Sequence, residues 1–281
     1  MSSAEFGAPT SRAAAPQSGR GRERAFAAVI TAALGFELAF VLAVIAALVL
    51  FTDPASLVRA IGTPEARFAL RLTLVTVTVS SALSVLLAIP AAYGLAFHRI
   101  PARAVVDTLL DLPIVMPPIA TGLALLLLFG YYLGDGMRAH GCYLPYTQTG
   151  VIVAQFFATM TFAIRTTKAA FDSVGPRLPA VAASLGSDDW RVFRRIILPL
   201  SRPGLIAGAV LTWARCIGLF GPIVMFCGVT RYRTEILATS IYLNNSIGQL
   251  EVAAAGTLIL IVIALVTLIV MKRLGGRGYL W

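Results

Sequence analysis

Few side chains in this sequence could carry out acid–base, nucleophilic or metal chemistry. His98 and His140 stand in separate polar segments with no carboxylate at ligand spacing, so we expect both at the surface. Asp188 and Asp189 could form an acid–base pair or bind a metal, but capping of a helix explains them better. The sequence also lacks the G-x-S-x-G and H-E-x-x-H patterns of hydrolases and metalloproteases. An intramembrane enzyme is therefore strongly disfavoured.

Nothing else in the sequence predicts a cofactor or metal. Cys142, Cys216 and Cys227 are widely spaced, without the C-x-x-C pattern of metal sites, and we expect them to be small buried apolar residues. The sequence also lacks G-x-x-x-x-G-K-[ST], because neither Lys168 nor Lys272 follows a glycine. Any ATP hydrolysis linked to this chain must come from a separate subunit.

The composition indicates a membrane protein. Hydrophobic residues make up 58% of the 281 residues and charged residues only 13%, whereas soluble domains have about 25% charged residues. A net charge of +10 could suggest a nucleic-acid partner. Here, however, the basic residues separate apolar runs, as membrane topology requires, so no nucleic acid is expected.

Six apolar segments approach or exceed the roughly 20 residues that a membrane-spanning helix needs. The apolar run LIAGAVLTWARCIGLFG is continuous, whereas the strands of a membrane barrel alternate between apolar and polar residues. The fold class predicted is therefore an all-α membrane protein with six transmembrane helices. The predicted spans are Ala25–Phe51, Leu70–Phe97, Val105–Tyr132, Gly150–Phe171, Pro203–Cys227 and Val252–Met271.

The distribution of Lys and Arg predicts the orientation of these spans. With both termini in the cytoplasm, sixteen basic residues fall inside and six outside, and Arg215 lies within the fifth span. Residues 1–24, rich in Ala, Ser, Gly, Pro and Arg, are expected to form a disordered cytoplasmic tail. Residues 25–275 form the transmembrane domain, residues 276–281 a second cytoplasmic tail, and residues 171–202 a cytoplasmic loop.

This loop is predicted to contain two short helices joined by a glycine corner. Pro179 suits the first turn of one helix, where its missing N–H costs nothing, and Gly186 can adopt the left-handed conformation that ends that helix. Ser187 or Asp188 can cap the second helix, and Pro199 is expected to end it. The second helix has an apolar face at helical spacing, formed by Trp190, Phe193 and Ile197.

The loop resembles the EAA loop of permease subunits of ATP-binding-cassette (ABC) importers. The family pattern is Glu-Ala-Ala, three residues, Gly, nine residues, Ile, one residue, Leu-Pro. From Gly186 onwards the spacing fits without a gap, although Ala180 stands in the position of the Glu. The resemblance implies a coupling helix that sits in a groove on the ATPase. The coupling residues implied are Ala180, Ala182, Ala183, Gly186, Leu198 and Pro199.

The resemblance covers most of residues 65 to 275. DLPIVMPPIATGLALLLLFG, from Asp111 to Gly130, resembles the third span of molybdate and sulfate permeases. The segment from Trp213 to Gly228 resembles their fifth span, in which Leu219 replaces an acidic residue. The resemblance implies a permease of the type I ABC importer fold that carries a tetrahedral oxyanion: molybdate, tungstate or sulfate.

The same resemblance implies partners and a location. Two ABC ATPase subunits would supply energy, and an extracytoplasmic solute-binding protein would deliver the substrate. Six spans are too few to enclose a path and its gates, so a second permease copy or a homologue is expected. Such a complex works by alternating access in the lipid of the bacterial inner membrane, which this chain would cross several times.

The predicted spans contain candidates for the translocation path and its gate. Arg215 is a functional candidate because a charge inside a membrane is costly; it could line the path or pair with Glu37 or Asp111. Gly204 and Gly208 form a G-x-x-x-G pattern that favours close helix packing. Other candidates break helix geometry, either as parts of a gate or as static kinks: Pro117, Pro118, Gly218, Gly221 and Pro222.

Two alternatives remain open at this point. The chain could be an ABC permease for another small solute, such as ferric iron, a phosphonate or a polyamine. It could also be an ion-driven secondary transporter, which usually has ionisable groups in several spans and internal repeats. Only Glu37 and Arg215 lie deep in predicted spans, so the second alternative is the weaker one.

Overall fold

The computed structural model describes residues 18–53, 57–58, 62–98 and 100–274. The chain divides into two units, residues 1–50 and 51–281. The first unit holds all but the last residue of helix α1 (Ser18–Phe51), which begins earlier than the Ala25 expected for the first span. Residues 1–17 of the predicted amino-terminal tail, and the whole predicted tail 276–281, lie outside the described residues.

Among the described residues of the second unit, every regular element is a helix, and turns connect these helices. One π-helical turn (Leu127–Tyr132) follows α4, and another (Phe193–Ile197) joins α8 to α9. The α-helices are α2 (Pro64–Phe97), α3 (Arg103–Val115), α4 (Pro118–Leu126), α5 (Gly134–Ala139), α6 (Gln148–Asp172), α7 (Arg177–Ser184), α8 (Asp189–Val192), α9 (Leu198–Ile217), α10 (Gly221–Cys227), α11 (Leu237–Ser246) and α12 (Leu250–Leu274).

Within the described part of the chain, five helices are long and apolar enough to cross a membrane, and there are six spans if one bent pair of helices counts as a single span. The bent pair is α3 and α4, whose axes differ by 106° across the break between Val115 and Pro118. The prediction of six helical spans is therefore confirmed when the bent pair counts as one. Its third span, however, is not one helix, because Pro117 and Pro118 cannot donate the hydrogen bonds that would continue α3.

Two spans begin with capping threonines that the sequence places one turn before an apolar run. The hydroxyl of Thr63 accepts a hydrogen bond from the amide of Ala66 at 3.3 Å, and Pro64 occupies the first position of α2. At α6, the Thr147 hydroxyl accepts from the amide of Gly150 at 3.0 Å. Both contacts satisfy amides that have no partner inside the helix.

The core of the second unit is formed by α2 packed along α6, with α9 against both. Small polar side chains form hydrogen bonds between α2 and α6 inside the bundle. The hydroxyl of Ser80 lies 3.1 Å from Oε1 of Gln155, and Ser84 lies 3.0 Å from Thr159. Such contacts hold helices together where lipid offers no hydrophobic driving force between them.

Helix α9 approaches α6 closely at one of the two glycines of the G-x-x-x-G pattern. A Cβ atom built on Gly208 would lie 2.9 Å from the Oγ1 atom of Thr166. A larger residue at position 208 would therefore push the two helices apart. The close packing predicted from this pattern is confirmed at Gly208.

Candidate functional site

Helices α7 and α8 form the glycine corner that the sequence predicts. Gly186 has a φ of +81°, in the left-handed region that glycine adopts at no steric cost. Its amide bonds to the carbonyl of Ala183, and the amide of Ser187 bonds to that of Ala182, both at 3.0 Å. This pair of bonds is the Schellman motif, which satisfies the last carbonyls of a helix. The side chain of Asp188 then caps α8, accepting from the amide of Arg191 at 2.7 Å.

One prediction for this corner is wrong, because Pro199 does not end the second helix. Helix α8, the π-helical turn and α9 form one continuous 29-residue helix from Asp189 to Ile217. In the π-helical turn the amide of Leu198 bonds to the carbonyl of Phe193, five residues earlier. This wider turn, with Pro199 at the start of α9, accommodates a residue that cannot donate a backbone hydrogen bond.

The corner packs against the two central helices. Ala182, Val192 and Ile197 are buried in one cluster with Ala92 of α2 and Phe171 of α6. A force applied to α7 would therefore reach α2 and α6 through tightly packed side chains, which deform little.

The residues predicted to couple the loop to an ATPase fall into three groups. Ala182 faces its own chain, whereas Ala180, Ala183 and Gly186 are exposed. Leu198 and Pro199 lie in the continuing helix, with Leu198 half-buried. These residues therefore do not form one continuous contact surface.

Sequence reasoning missed three large apolar residues on α7 and its end. Leu178, Val181 and Leu185 are 49%, 57% and 82% exposed. Their spacing of three and four residues places them along one side of the helix, a signal that was present in the sequence. We call this set the exposed stripe.

The face predicted for the second helix is only partly buried. Ile197 is buried, but Trp190 is exposed, and its ring lies 5.7 Å from that of Phe193 at an angle of 31°. The ring of Phe193 in turn lies 5.0 Å from Tyr93 of α2. The aromatic contacts thus tie α8 to the end of α2 and leave Trp190 at the edge.

The residues predicted for a gate meet where two helices begin. A Cβ atom on Gly221, at the start of α10, would lie 2.7 Å from Cβ of Pro118, at the start of α4. One turn further along α4, a Cβ atom on Gly122 would lie 2.6 Å from the carbonyl oxygen of Pro222. The backbone at the start of α4, after the break that ends at Pro117, therefore packs directly against the backbone at the start of α10.

Gly218 differs from these glycines because it stands beside open space. It ends α9, and a Cβ atom built on it would meet nothing within 4 Å. Arg215, in the last turn of α9, is exposed, and its guanidinium lies 5.4 Å from the centroid of the Phe162 ring.

Asp111, which the sequence offered as a partner for Arg215, pairs with Arg165 instead. Nε and Nη2 of Arg165 donate to the two carboxylate oxygens of Asp111 at 2.8 and 2.7 Å. Its Nη1 donates to Asp107 at 3.0 Å. This paired fork geometry, which is among the strongest for charged groups, holds α3 on α6. Glu37 lies in the first unit and forms no ion pair with any residue that the structure describes.

The turn between α10 and α11 also carries an unusual backbone conformation. Tyr232 has a φ of 59° and is exposed. Its ring lies 5.8 Å from that of Phe68, and its hydrogen bond to Glu65 raises the pKa of the phenol. The turn between α10 and α11 is thus fixed to the start of α2.

The remaining reactive side chains form no recognisable site. His98 and His140 are exposed as predicted. Cys216 and Cys227 are buried as predicted, but Cys142 is exposed, so that prediction is wrong for this residue. Cys142 lies in the turn that ends α5, directly after Gly141 with its φ of +71°, and not in a helix of the bundle. Among the described residues, no group of three His, Cys, Asp or Glu side chains is placed to hold a metal.

Comparisons with known proteins give consistent matches. Residues 84–277 match the family described as the inner membrane component of binding-protein-dependent transport systems. The sulfate transport system permease protein CysW of Synechocystis sp. is 31% identical over 222 residues, covering 78% of this chain and 80% of that protein. The molybdate/tungstate transport system permease protein WtpB of Thermococcus kodakarensis is 30% identical over 257 residues, covering 90% and 98%.

A solved structure shares the fold at lower sequence similarity. One chain in the crystal structure of a bacterial alginate ABC transporter, in complex with an alginate-bound periplasmic protein, superposes with a TM-score of 0.75 at 18% identity. The match covers 92% of this chain and 96% of that one.

Proposed function

Because the chain belongs to the family of binding-protein-dependent transport system inner membrane components, we propose that it is the permease subunit of an ABC importer for a small oxyanion. It is a multi-pass inner-membrane protein. The relatives that carry sulfate or molybdate and tungstate match most of its length, which supports one of these anions as the substrate. The likeness to an alginate transporter supports the fold alone.

The observation that carries this proposal is the exposed stripe beside the glycine corner. Three large apolar side chains on a short helix outside the spans are costly in water, at about 25 cal/mol per Å² of apolar surface. A groove on a partner protein would remove them from water. Ala182 on the same helix packs against α2 and α6, so a partner that grips the stripe can move the spans.

The partner we propose for the stripe is an ATPase in the cytoplasm, which requires both termini of this chain to be cytoplasmic. The count of basic residues supports that orientation. Two such ATPases, a second permease copy or a homologue, and an external solute-binding protein complete the complex. This chain would then not be an enzyme, because the ATPase subunits hydrolyse ATP.

The gate we propose lies where the starts of α4 and α10 touch. Each helix begins after a break, so each can tilt without bending a continuous helix. ATP binding would bring the ATPases together, and their grooves would move α7 of each permease. The spans would then open towards the outside, where the solute-binding protein releases the anion. Hydrolysis would return them to the inward-open state.

A co-purification experiment tests the partner. The permease is produced together with a candidate ABC ATPase from the same organism and purified through a tag on the ATPase. Leu185→Glu places a charge in the stripe and is expected to reduce co-purification about tenfold, equivalent to about 1.4 kcal/mol. Ser184→Glu, which adds the same charge beside the stripe, is the matched control and should retain the complex. Equal recovery of the two variants would refute docking through the stripe.

An uptake experiment tests the substrate. The complete importer is placed in proteoliposomes that contain ATP. Radiolabelled sulfate, molybdate or tungstate is added outside the vesicles together with the solute-binding protein. We expect accumulation of at least one of the three that stops without ATP. Uptake of a phosphonate, a polyamine or ferric iron in place of these anions would refute the proposed substrate class while leaving the permease assignment intact.

A further inference from the structure

Arg215 of α9 differs from Arg165 of α6 in its contacts. Arg165 gives its donors to Asp107 and Asp111. Arg215 takes part in no ion pair among the described residues, and its guanidinium lies over the Phe162 ring. The charge of Arg165 is therefore balanced by carboxylates of its own chain, whereas that of Arg215 is not.

The contact with Phe162 orients the guanidinium without using its hydrogen-bond donors. An aromatic face attracts a cation by about 0.5–1 kcal/mol at an exposed site. The carbonyls at the end of α9 add a further attraction for a positive charge. Neither contact occupies the five N–H groups with which a guanidinium binds planar or tetrahedral oxyanions.

An exposed part of the chain lies beside this group. Gly218, one turn beyond Arg215 at the end of α9, is exposed like Arg215 itself, and a Cβ atom built on it would meet nothing within 4 Å. Three residues further along, Gly221 touches Pro118 at the contact between α4 and α10. An anion next to Arg215 would thus stand at the entrance to the proposed gate.

We propose that Arg215 is an intramembrane contact for the oxyanion and that Phe162 is the residue that positions it. The substrate class rests on the proposed function. A single guanidinium, partly stabilised by a ring and by helix carbonyls, attracts an anion but binds it weakly. Weak binding suits a transport path, because the anion must leave again.

Charged thiol reagents measure this positive charge without any transport. Gly218→Cys is introduced in a Cys142→Ser background, since the other two cysteines are buried, in inner-membrane vesicles that contain the whole complex. The rates of modification by an anionic sulfonate reagent and a cationic trimethylammonium reagent are compared. Because a nearby charge raises the local concentration of counter-ions, we expect the ratio of anionic to cationic rates to exceed one. In Arg215→Met that ratio should fall about tenfold.

A matched control excludes a general effect of removing an arginine from the same helix. Arg202→Met, near the other end of α9, should leave the ratio unchanged. An equal ratio with and without Arg215, or no modification of the cysteine by either reagent, would overturn the proposal. In both cases the charge would not face a water-filled space next to Gly218.

Variants of Phe162 test its positioning role. Phe162→Leu should lower the ratio of modification rates about threefold, since about 0.6 kcal/mol of cation–π attraction is lost, whereas Phe162→Tyr should restore it. A purely structural ring would reduce the amount of assembled complex and leave the ratio unchanged. If these ratios behave as expected but no oxyanion is taken up, the proposed substrate fails and the anion contact stands.

Discussion

The contact between α4 and α10 can be tested by one added methyl group. In Gly221→Ala the new carbon would lie 2.7 Å from Cβ and 3.2 Å from the carbonyl carbon of Pro118. Carbon atoms pack without repulsion at about 3.5–4.0 Å, so the helix starts must separate by roughly 1 Å. Since one neighbour is backbone, the clash cannot be relieved by rotating a side chain. Overpacking of this kind costs about 1–3 kcal/mol.

That cost should shift the equilibrium between the gate conformations. An energy of about 1–3 kcal/mol corresponds to a change of roughly 5- to 150-fold in a two-state equilibrium. The conformation described here would become less populated, and uptake would fall within that range. Gly94→Ala in α2 is the matched control, because its methyl group meets nothing within 4 Å and Gly94 is not part of the proposed gate, so this variant should leave uptake unchanged.

The assay combines uptake with thermal unfolding of the purified permease–ATPase complex. Gly221→Ala should lower the midpoint of unfolding relative to Gly94→Ala, and its uptake should fall as calculated. Gly122→Ala, whose methyl group would lie 2.6 Å from the Pro222 carbonyl oxygen, should behave like Gly221→Ala. If the alanine variants of Gly221 and Gly94 are indistinguishable in both measurements, the close contact between α4 and α10 does not exist.

Three further changes address the corner and the ion pair. Gly186→Val forces a branched residue into the left-handed region, at a cost of about 1–2 kcal/mol. ATP-driven uptake should therefore fall, whereas membrane insertion, measured by protease protection, should persist. Asp188→Ala removes the cap of α8 and should reduce uptake coupled to ATP hydrolysis, because a cap contributes about 1 kcal/mol; Asp189→Ala, which removes no cap, should have less effect. Asp111→Asn weakens the contact of α3 with α6 and should lower the unfolding midpoint by an amount equivalent to about 1–2 kcal/mol, whereas Asp135→Asn, at a fully exposed site, should not.

Much of the helical architecture could be predicted from the sequence because lipid allows few alternatives. The length of each apolar run sets a span, and backbone groups in lipid must be satisfied within a helix or a closed barrel. The corner was also predictable, since Gly186 and Asp188 act within their own turn of the chain. Local chemistry of this kind does not depend on which helices pack together.

Features that depend on packing between distant segments could not be predicted. The choice of Arg165 rather than Arg215 as the partner of Asp111 follows from the way α3 lies on α6. Likewise, the sequence around Pro199 predicts a helix end, and only the preceding π-helical turn lets the helix continue. The meeting of Pro118 with Gly221 also requires two breaks, far apart in the chain, to coincide in space.

The uninterrupted helix from Asp189 to Ile217 has a mechanical consequence. Its 29 residues extend for roughly 44 Å at about 1.5 Å per residue. One end adjoins the surface corner, and the other carries Arg215. If this helix tilts by about 5° about the end at the corner, its other end moves by roughly 4 Å, comparable to the width of a small anion. Movements of the corner that are too small to change its own structure would therefore produce larger movements of Arg215 within the bilayer.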